Sequence, residues 1–159
     1  MSIYIGTSGY NYKHWSNGLF YPKGLPQNRW LEYYSSYFNA VELNVSFYRL
    51  PKKEVFQKWK RQTPEEFYFV VKGNRYITHI KRLKDSLIPL KRFFANASGL
   101  GKKVALVLWQ LPPNAKIDTE RLELFCENIR EIRYARDIGH VFEFRNRSWF
   151  IFNVWMYGC

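Results

Sequence analysis

The stretch Val104-Ala-Leu-Val-Leu-Trp-Gln-Leu, residues 104–111, is apolar at every position except Gln110. A strand that is covered on both faces of a sheet has this nearly continuous apolar character, which is typical of parallel sheets. Neighbouring parallel strands need long crossover connections, and these are usually helices. The stretch therefore predicts a central strand of a parallel sheet, with helices before and after it.

Four further apolar segments occur at regular intervals around this strand. They predict strands over residues 3–7, 40–46, 67–72 and 140–145. Between successive strands, helical patterns predict helices near residues 28–38, 51–63 and 86–97 and after Asp118. The strand starts lie 27 to 37 residues apart, which is the length of a strand-helix-strand unit. Repeated units of this kind predict an α/β fold with a parallel sheet.

Two aspartates precede predicted helices and are candidate N-caps. Asp85 comes just before the helix near residues 86–97, and Asp118 comes before the next one. An aspartate at this position accepts a hydrogen bond from a backbone N–H of the first turn. Gly99 and Gly101 are expected to end the first of these two helices.

The number of strand-helix units is too small for a closed barrel. A closed (β/α)8 barrel has about 200 residues or more, whereas the five units here lie within 159 residues. We therefore expect a chain whose C-terminal units are missing. If the chain is complete as it stands, unpaired edges at the first and fifth strands favour self-association.

Composition excludes several classes of protein. Hydrophobic residues make up 47% of the chain and aromatic residues 19%, which is too apolar for a disordered protein. No apolar run approaches the roughly 20 residues of a membrane span. The start, Met-Ser-Ile-Tyr-Ile-Gly, leads directly into a strand and not into a signal peptide. These features predict a cytoplasmic protein with no membrane association.

The chain is strongly basic, with a formal net charge of +12. Residues 51–103 carry 14 Lys or Arg and 4 Asp or Glu, so most of the excess lies in one third of the chain. Basic doublets recur there at residues 52–53, 60–61, 81–82, 91–92 and 102–103, close to aromatic residues. A field of this sign attracts nucleic acids and other phosphate-bearing ligands. The alternative is a set of solvated helix faces with no partner.

Polar residues replace apolar ones at the carboxyl end of each predicted strand. They are Thr7, Ser8, Glu42, Asn44, Lys72, Asn74, Gln110, Glu143 and Arg145, and the loop after the third strand adds Arg75, Tyr76 and His79. Parallel α/β sheets bind ligands at this edge, because several strand ends and their loops meet there. The alternation of side chains along a strand places Glu143 and Arg145 on one face. We expect one functional site at this edge.

A purely structural interpretation of the same charges stays open. Glu42, Lys72, Glu143 and Arg145 could form an internal salt-bridge network that stabilises the fold and has no other function. Burying several charges is costly, which favours a functional reason for keeping them.

Six blocks of sequence carry a resemblance to a known family. They cover residues 5–10, 20–22, 41–44 with 46–51, 71–79, 109–113, and 142–145 with 148–150. In this order and spacing they resemble the YecE-like family, the domain of unknown function numbered 72. The resemblance implies a TIM-type (β/α)8 barrel, with residues 1–159 forming a single domain of about the first five strand-helix units. Full family members continue with further strands, and the resemblance implies no particular enzymatic activity.

The first candidate function is a phosphate-directed enzyme, either a phosphoesterase or a nuclease-like protein. Its candidate catalytic residues are Glu42, Lys72, His79, Glu143 and Arg145, which offer acid-base groups and positive charges for a developing negative charge. Its candidate ligand-binding residues are Thr7, Ser8, Asn44, Asn74, Arg75, Tyr76 and Gln110. The carboxylates could hold a divalent metal, although no motif such as HExxH indicates one.

Two other functions remain as alternatives. The protein could bind nucleic acid without catalysis, through the charge of residues 51–103 and exposed aromatic rings. It could instead be a Schiff-base enzyme with Lys72 as the nucleophile. The last is the weakest, because a lysine beside carboxylates normally stays protonated.

Overall fold

The computed structural model describes residues 3–150. All strands among these residues belong to one five-stranded sheet. The strands are Gly6–Ser8 (β1), Ala40–Leu43 (β2), Tyr68–Lys72 (β3), Val104–Gln110 (β4) and Gly139–Glu143 (β5). They pair in parallel in the order β1-β2-β3-β4-β5. The predicted α/β fold with a parallel sheet is confirmed.

Helical segments connect the strands. They are Trp30–Tyr34 (α1), Val45–Tyr48 (α2), Lys53–Arg61 (α3), Leu87–Ala97 (α4), Thr119–Arg130 (α5) and Arg133–Arg136 (α6), with a π-helical turn at Tyr76–Ile80. Short 3-10 segments lie at Lys13–Trp15, Gln27–Arg29, Ser98–Lys103 and Arg147–Trp149. Within residues 3–150, no helix has the length and apolar character needed to cross a membrane.

One face of the sheet is covered by helices. Trp109 of β4 is fully buried, and its ring lies 5.4 Å from that of Phe93 on α4 and 5.1 Å from that of Phe125 on α5. The opposite face is more open in the described residues, where Val141 of β5 is 45% exposed. Strands β1 and β5 each pair with one strand only among residues 3–150, so the sheet is not closed there.

Gly73 shows how tightly the sheet is packed where β3 ends. A Cβ atom added at Gly73 would lie 2.3 Å from the ring of Trp109, which is much closer than a van der Waals contact. Only glycine therefore allows the chain to pass over this buried ring. The residues that follow Gly73 owe their position to this contact.

The end of β2 differs from the sequence prediction. A strand was expected over residues 40–46, but β2 ends at Leu43 and a helical turn, α2, begins at Val45. The buried hydroxyl of Ser46 is responsible, because it lies within hydrogen-bonding distance of the carbonyls of Leu43 (2.8 Å) and Lys72 (2.7 Å). A side-chain bond of this kind competes with the strand ladder.

The two predicted N-caps have different outcomes. Asp118 caps α5, since its side chain accepts a hydrogen bond from the backbone N–H of Arg121 at 3.0 Å. Asp85 is not a cap: Ser86 precedes α4, and the Asp85 carboxylate instead accepts a hydrogen bond from Lys81 at 3.3 Å. A φ of +44° at Asp85 turns the chain away from the extended geometry that an N-cap requires.

Lys103 departs from the expectation of a solvated basic surface. Its side chain is buried, and its ammonium donates to the carbonyls of Lys60, Thr63 and Pro64 and to the Thr63 hydroxyl at 2.6–3.0 Å. The Lys60 carbonyl lies in the last turn of α3, where carbonyls lack a helical partner, and those of Thr63 and Pro64 follow the helix. The charge of Lys103 therefore stabilises the fold and is not available to a partner molecule.

Candidate functional site

The carboxyl ends of the five strands share one edge of the sheet, which we call the rim. Near one end of the rim, Ser8 of β1 lies directly opposite Glu42 of β2. The Ser8 hydroxyl donates to Glu42 at 2.9 Å and accepts from the side-chain amide of Asn44 at 2.9 Å. These three side chains form the serine end of the rim. Its hydrogen bonds involve the carboxylate of Glu42 and two neutral side chains, those of Ser8 and Asn44.

A second carboxylate lies at the opposite end of the rim. Gln110 of β4 is directly opposite Glu143 of β5, and its side-chain amide donates to one oxygen of Glu143 at 2.6 Å. Arg145 donates from Nε to the other oxygen at 2.7 Å. Glu143 therefore has both oxygens engaged, one by a neutral amide and one by a guanidinium.

The ionisation of Glu143 follows from these partners. Burial alone would raise the pKa of Glu143, because a carboxylate loses solvation. The hydrogen bonds from Gln110 and Arg145, together with the charges of Arg145 and Lys72, outweigh burial and leave the pKa below its usual value. Glu143 is thus a carboxylate at neutral pH and remains one in mild acid.

Lys72 is the last residue of β3, the middle strand of the sheet. Its ammonium is 5.3 Å from the centroid of the Phe47 ring, within the range of a cation–π contact. Phe47 also contacts His79, whose ring centroid is 4.9 Å away in an edge arrangement. Phe47 therefore positions a lysine and a histidine at the same part of the rim.

His79 is uncharged at neutral pH. Its pKa is lowered mainly by burial and further by the positive charges of Arg75, Arg145 and Lys72. These three cations therefore lie close enough to affect one imidazole. We call the group of Lys72, Arg75, His79, Glu143 and Arg145 the arginine end of the rim.

The hydroxyl of Thr78 contacts the imidazole of His79. His79 Nδ1 lies 2.9 Å from the Thr78 hydroxyl, and that hydroxyl donates to the carbonyl of Asn74 at 3.3 Å. When the hydroxyl donates to the Asn74 carbonyl, its one proton is used, and Nδ1 is then the donor to Thr78. This tautomer leaves a lone pair on Nε2, for which no partner exists among residues 3–150.

Asn74 fixes the loop between these groups. Its side-chain amide donates to the carbonyl of Ser46 at 2.8 Å, and its side-chain oxygen accepts from the backbone N–H of Tyr76 at 3.0 Å. The loop after β3 is thereby tied to the helical turn after β2. Asn74 positions neighbouring residues, while the side chains of Arg75 and Tyr76 are exposed.

Thr7 lies apart from the other expected ligand-binding residues. Its hydroxyl is 2.9 Å from that of Tyr34, a buried residue of α1, and it donates to the carbonyl of Gly9 at 2.6 Å. Thr7 is therefore held on the helix-covered side of β1. Its contacts join the sheet to α1.

The structure brings the expected residues together in two groups instead of one. Of the salt-bridge network considered from the sequence, only the Arg145–Glu143 pair is formed within the described residues. No three His, Cys, Asp or Glu side chains of residues 3–150 converge as a metal site. Glu42 and Glu143 each offer carboxylate oxygens at separate ends of the rim.

Sequence reasoning missed Ser46, Phe47 and Thr78, which position the arginine end. Ser46 and Phe47 were assigned to the end of a strand and to a motif, with no role in the site. A buried polar residue directly after a strand, followed by two aromatic residues, was the available signal. It could indicate a tight turn there, but not which side chains the turn would bring together.

A comparison with known proteins now identifies the family. A match to the family described as "Protein of unknown function DUF72" covers residues 4–155. The chain belongs to the DUF72 family. Within this family it is 32% identical to the UPF0759 protein YunF of Bacillus subtilis, over 93% of this chain and 52% of YunF. It is 33% identical to the UPF0759 protein YecE of Escherichia coli K12, over 69% of this chain and 38% of YecE.

Solved DUF72 structures have the same arrangement of strands and helices. A DUF72 family protein from Thermotoga maritima matches 96% of this chain with a TM-score of 0.77 and 31% identity. A DUF72 family protein from Enterococcus faecalis matches with a TM-score of 0.69 and 21% identity, which shows the fold alone. The chain spans 59% and 55% of those two proteins, and about half or less of the curated relatives it matches.

Proposed function

We propose that the arginine end binds the phosphoryl group of a phosphoester, and that the protein is a phosphoesterase or nuclease-like enzyme. One observation carries the proposal: Lys72 and His79 contact the same Phe47 ring, and the positive charges of Lys72, Arg75 and Arg145 all act on His79. Arg145 is in turn ion-paired with Glu143. A phosphoryl group needs positive charge for its oxygens, and its hydrolysis needs a base for the attacking water. Both requirements are met by neighbouring side chains.

We further propose that the five strands belong to a (β/α)8-type barrel. The sheet is wholly parallel and in sequence order, as the strands of such a barrel are. Catalytic residues of these barrels occupy the carboxyl ends of the strands, and the arginine end lies there. The relatives are longer than this chain, so they have room for the remaining units.

Positive charge is the first contribution of the arginine end. Negative charge on the phosphoryl oxygens would be met by Lys72, Arg75 and Arg145, because each already exerts its field at His79. The Glu143 carboxylate holds Arg145 through Nε at 2.7 Å, which leaves the terminal nitrogens of that guanidinium available for phosphoryl oxygens. Arg145 is thereby in place before a ligand arrives, which favours electrostatic stabilisation.

Proton transfer is the second contribution. An uncharged imidazole with a lone pair on Nε2 can take a proton from water as it attacks phosphorus. The same ring can return that proton to the leaving oxygen, so the imidazole ends the reaction unchanged. Thr78, through its contact with Nδ1, fixes the tautomer that this role requires.

The matched pair Glu143→Gln and Glu42→Gln tests this assignment. Both residues are carboxylates at the rim and each accepts a hydrogen bond from the adjacent strand, but only Glu143 holds a cation. We expect Glu143→Gln to lower kcat/KM for a phosphoester by about a hundredfold or more and Glu42→Gln by less than about tenfold. The measurement is hydrolysis of mono- and diesters, with and without Mg²⁺ or Mn²⁺.

Equal losses in the two variants would contradict the assignment of the activity to the arginine end. Protein that is folded by circular dichroism and inactive on all phosphoesters, with every metal, would contradict the enzymatic proposal itself. The carboxamide in each variant keeps the size of the side chain, so a loss of activity reports the charge.

A noncatalytic nucleic-acid-binding protein is the second candidate. It is favoured by the exposure of most basic residues between 51 and 103, among them Lys52, Lys60, Lys91 and Arg92. Charge reversal at Lys81 and Arg82 would then weaken binding and reduce its salt dependence. Unchanged affinity in that variant would mean that these faces are merely solvated.

A further inference from the structure

A groove of about 830 Å³ lies beside the rim and is not part of the arginine end. One wall is formed by the chain between α2 and α3, and the other by the first turns of α4. Asn74, at the carboxyl end of β3, closes it toward the rim. We call this the lateral groove.

The lateral groove combines exposed aromatic rings with positive charge. Tyr48 and Tyr76 line it and are 77% and 46% exposed. Arg49, Lys52 and Arg92 also line it, and no Asp or Glu does so among the described residues. Exposed aromatic rings offer faces on which flat groups can stack, and the cations favour a partner that is negatively charged.

A series of ring contacts links the groove to the arginine end. The ring of Tyr48 lies 5.0 Å from that of Phe47, and Phe47 in turn lies 4.9 Å from His79 and 5.3 Å from the ammonium of Lys72. A ligand whose phosphoryl group reaches the arginine end can therefore extend along Phe47 into the groove.

The groove lies away from the open edges of the sheet. It follows strands β2 and β3, each of which is paired on both sides. Its floor is closed by a hydrogen bond from the side-chain amide of Asn96 to the carbonyl of Pro51 at 2.9 Å. Further strands would pair with β1 or β5, the outer strands of the described sheet. The groove is therefore not an unpaired sheet edge.

We propose that the lateral groove binds the nucleotides that flank the reacting phosphate of a single-stranded nucleic acid. Bases stack on Tyr48 and Tyr76, while Arg49, Lys52 and Arg92 neutralise the backbone phosphates. Alternating aromatic and cationic contacts of this kind are how proteins bind single strands without reading sequence. This inference rests on the proposed function and narrows its substrate class from phosphoesters in general to polynucleotides.

The positive charge of the groove favours a single-stranded nucleic acid over a peptide or a second copy of the chain. An apolar peptide has no negative charge to pair with Arg49, Lys52 and Arg92 in the groove. A second copy of this protein carries a net charge of +12, and would be repelled. Nucleic acid supplies both the flat rings and the charge that the groove accommodates.

Binding of a fluorescein-labelled oligothymidylate of about ten nucleotides, followed by anisotropy, tests the inference. Tyr48→Leu removes a stacking ring, and we expect a loss of affinity of about tenfold or more. Arg92→Gln removes one phosphate contact and should reduce the slope of log affinity against log salt by about 0.7. The controls are Tyr37→Leu, an exposed tyrosine elsewhere, and Lys91→Gln, an exposed neighbour of Arg92 that does not line the groove.

Inorganic phosphate is the second probe, and it separates this inference from the proposed function. We expect Tyr48→Leu to leave phosphate binding unchanged and Lys72→Gln to weaken both probes. If Lys72→Gln weakens both probes but Tyr48→Leu and Arg92→Gln behave like their controls, the groove assignment is wrong and the proposed function stands. If Lys72→Gln changes neither probe, the proposed function fails. If oligothymidylate does not bind and sedimentation shows a dimer that Tyr48→Leu dissociates, the groove is a self-association surface.

Discussion

The serine end and the arginine end of the rim are built alike and differ in charge. Each has a carboxylate that accepts a hydrogen bond from the residue directly opposite on the adjacent strand: Ser8 to Glu42 at one end and Gln110 to Glu143 at the other. At the serine end, the Ser8 hydroxyl also accepts a hydrogen bond from a neutral amide, that of Asn44. At the arginine end there are three cations and an uncharged histidine.

The difference shows that a carboxylate at a strand end does not by itself make a site. Glu42 accepts a hydrogen bond from the neutral hydroxyl of Ser8, and that hydroxyl accepts one from Asn44, which joins β1 to the turn after β2. Glu143 orients a guanidinium and lies within the field of Lys72. In the proposed function, the surrounding charges, and not the carboxylate, suit the arginine end to an anionic ligand.

The largest effect is expected from the pair Ser46→Ala and Ser8→Ala. Ser46 is fully buried, and its hydroxyl lies within hydrogen-bonding distance of the carbonyls of Leu43 and Lys72, so its loss removes a buried donor from between them. We expect Ser46→Ala to lower the free energy of unfolding by about 1–2 kcal/mol. Ser8 is exposed and water can replace its contacts, so Ser8→Ala should cost less than about 0.5 kcal/mol.

Urea denaturation followed by tryptophan fluorescence measures both values. A common slope against urea concentration would show that the two variants unfold from equally compact states. Equal losses in the free energy of unfolding would mean that Ser46 and Ser8 contribute equally to stability. The two ends of the rim would then not differ in how strongly their hydrogen bonds stabilise the fold.

A smaller effect is expected on the pKa of His79. Burial lowers this pKa most, and the positive charge of Arg75 lowers it further, because the protonated imidazole is repelled. Arg75→Gln removes that repulsion, so the pKa of His79 should rise. Where uncharged His79 is the base, the acid limb of the activity profile should move to higher pH by the same amount.

The pKa is measured from the pH dependence of the His79 ring resonances by NMR. Arg82→Gln is the control, since Arg82 is exposed and is not among the charges that act on His79. An unchanged or lowered pKa in Arg75→Gln would show that the cations of the arginine end do not converge on the imidazole.

The fold was predictable where one pattern had one explanation. Residues 104–111 are so uniformly apolar that only a covered strand fits, and β4 spans Val104–Gln110. Asp118 was predicted as a cap and is one. The end of β2 was not predictable, because Val45 and Phe47 suit a strand and only the hydroxyl of Ser46, bonded across to β3, makes the chain turn.

The site was predictable in its location and only partly in its membership. Alternation along β5 indicated that Glu143 and Arg145 share a face, and their side chains form an ion pair. The same reasoning grouped Glu42 with them, because alternation gives the face but not the distance across four strands. Lys103 was counted with the solvated charges, since nothing local in the sequence shows that the last turn of α3 needs its ammonium.

Titration of the protein with inorganic phosphate, observed by NMR, tests the central claim most directly. The Nε–H resonance of Arg145 and the ring resonances of His79 should shift together and reach saturation, while the side-chain amide of Asn44 at the serine end stays unchanged. Saturating shifts at Asn44, with Arg145 and His79 unaffected, would place the anion at the wrong end of the rim and contradict the account.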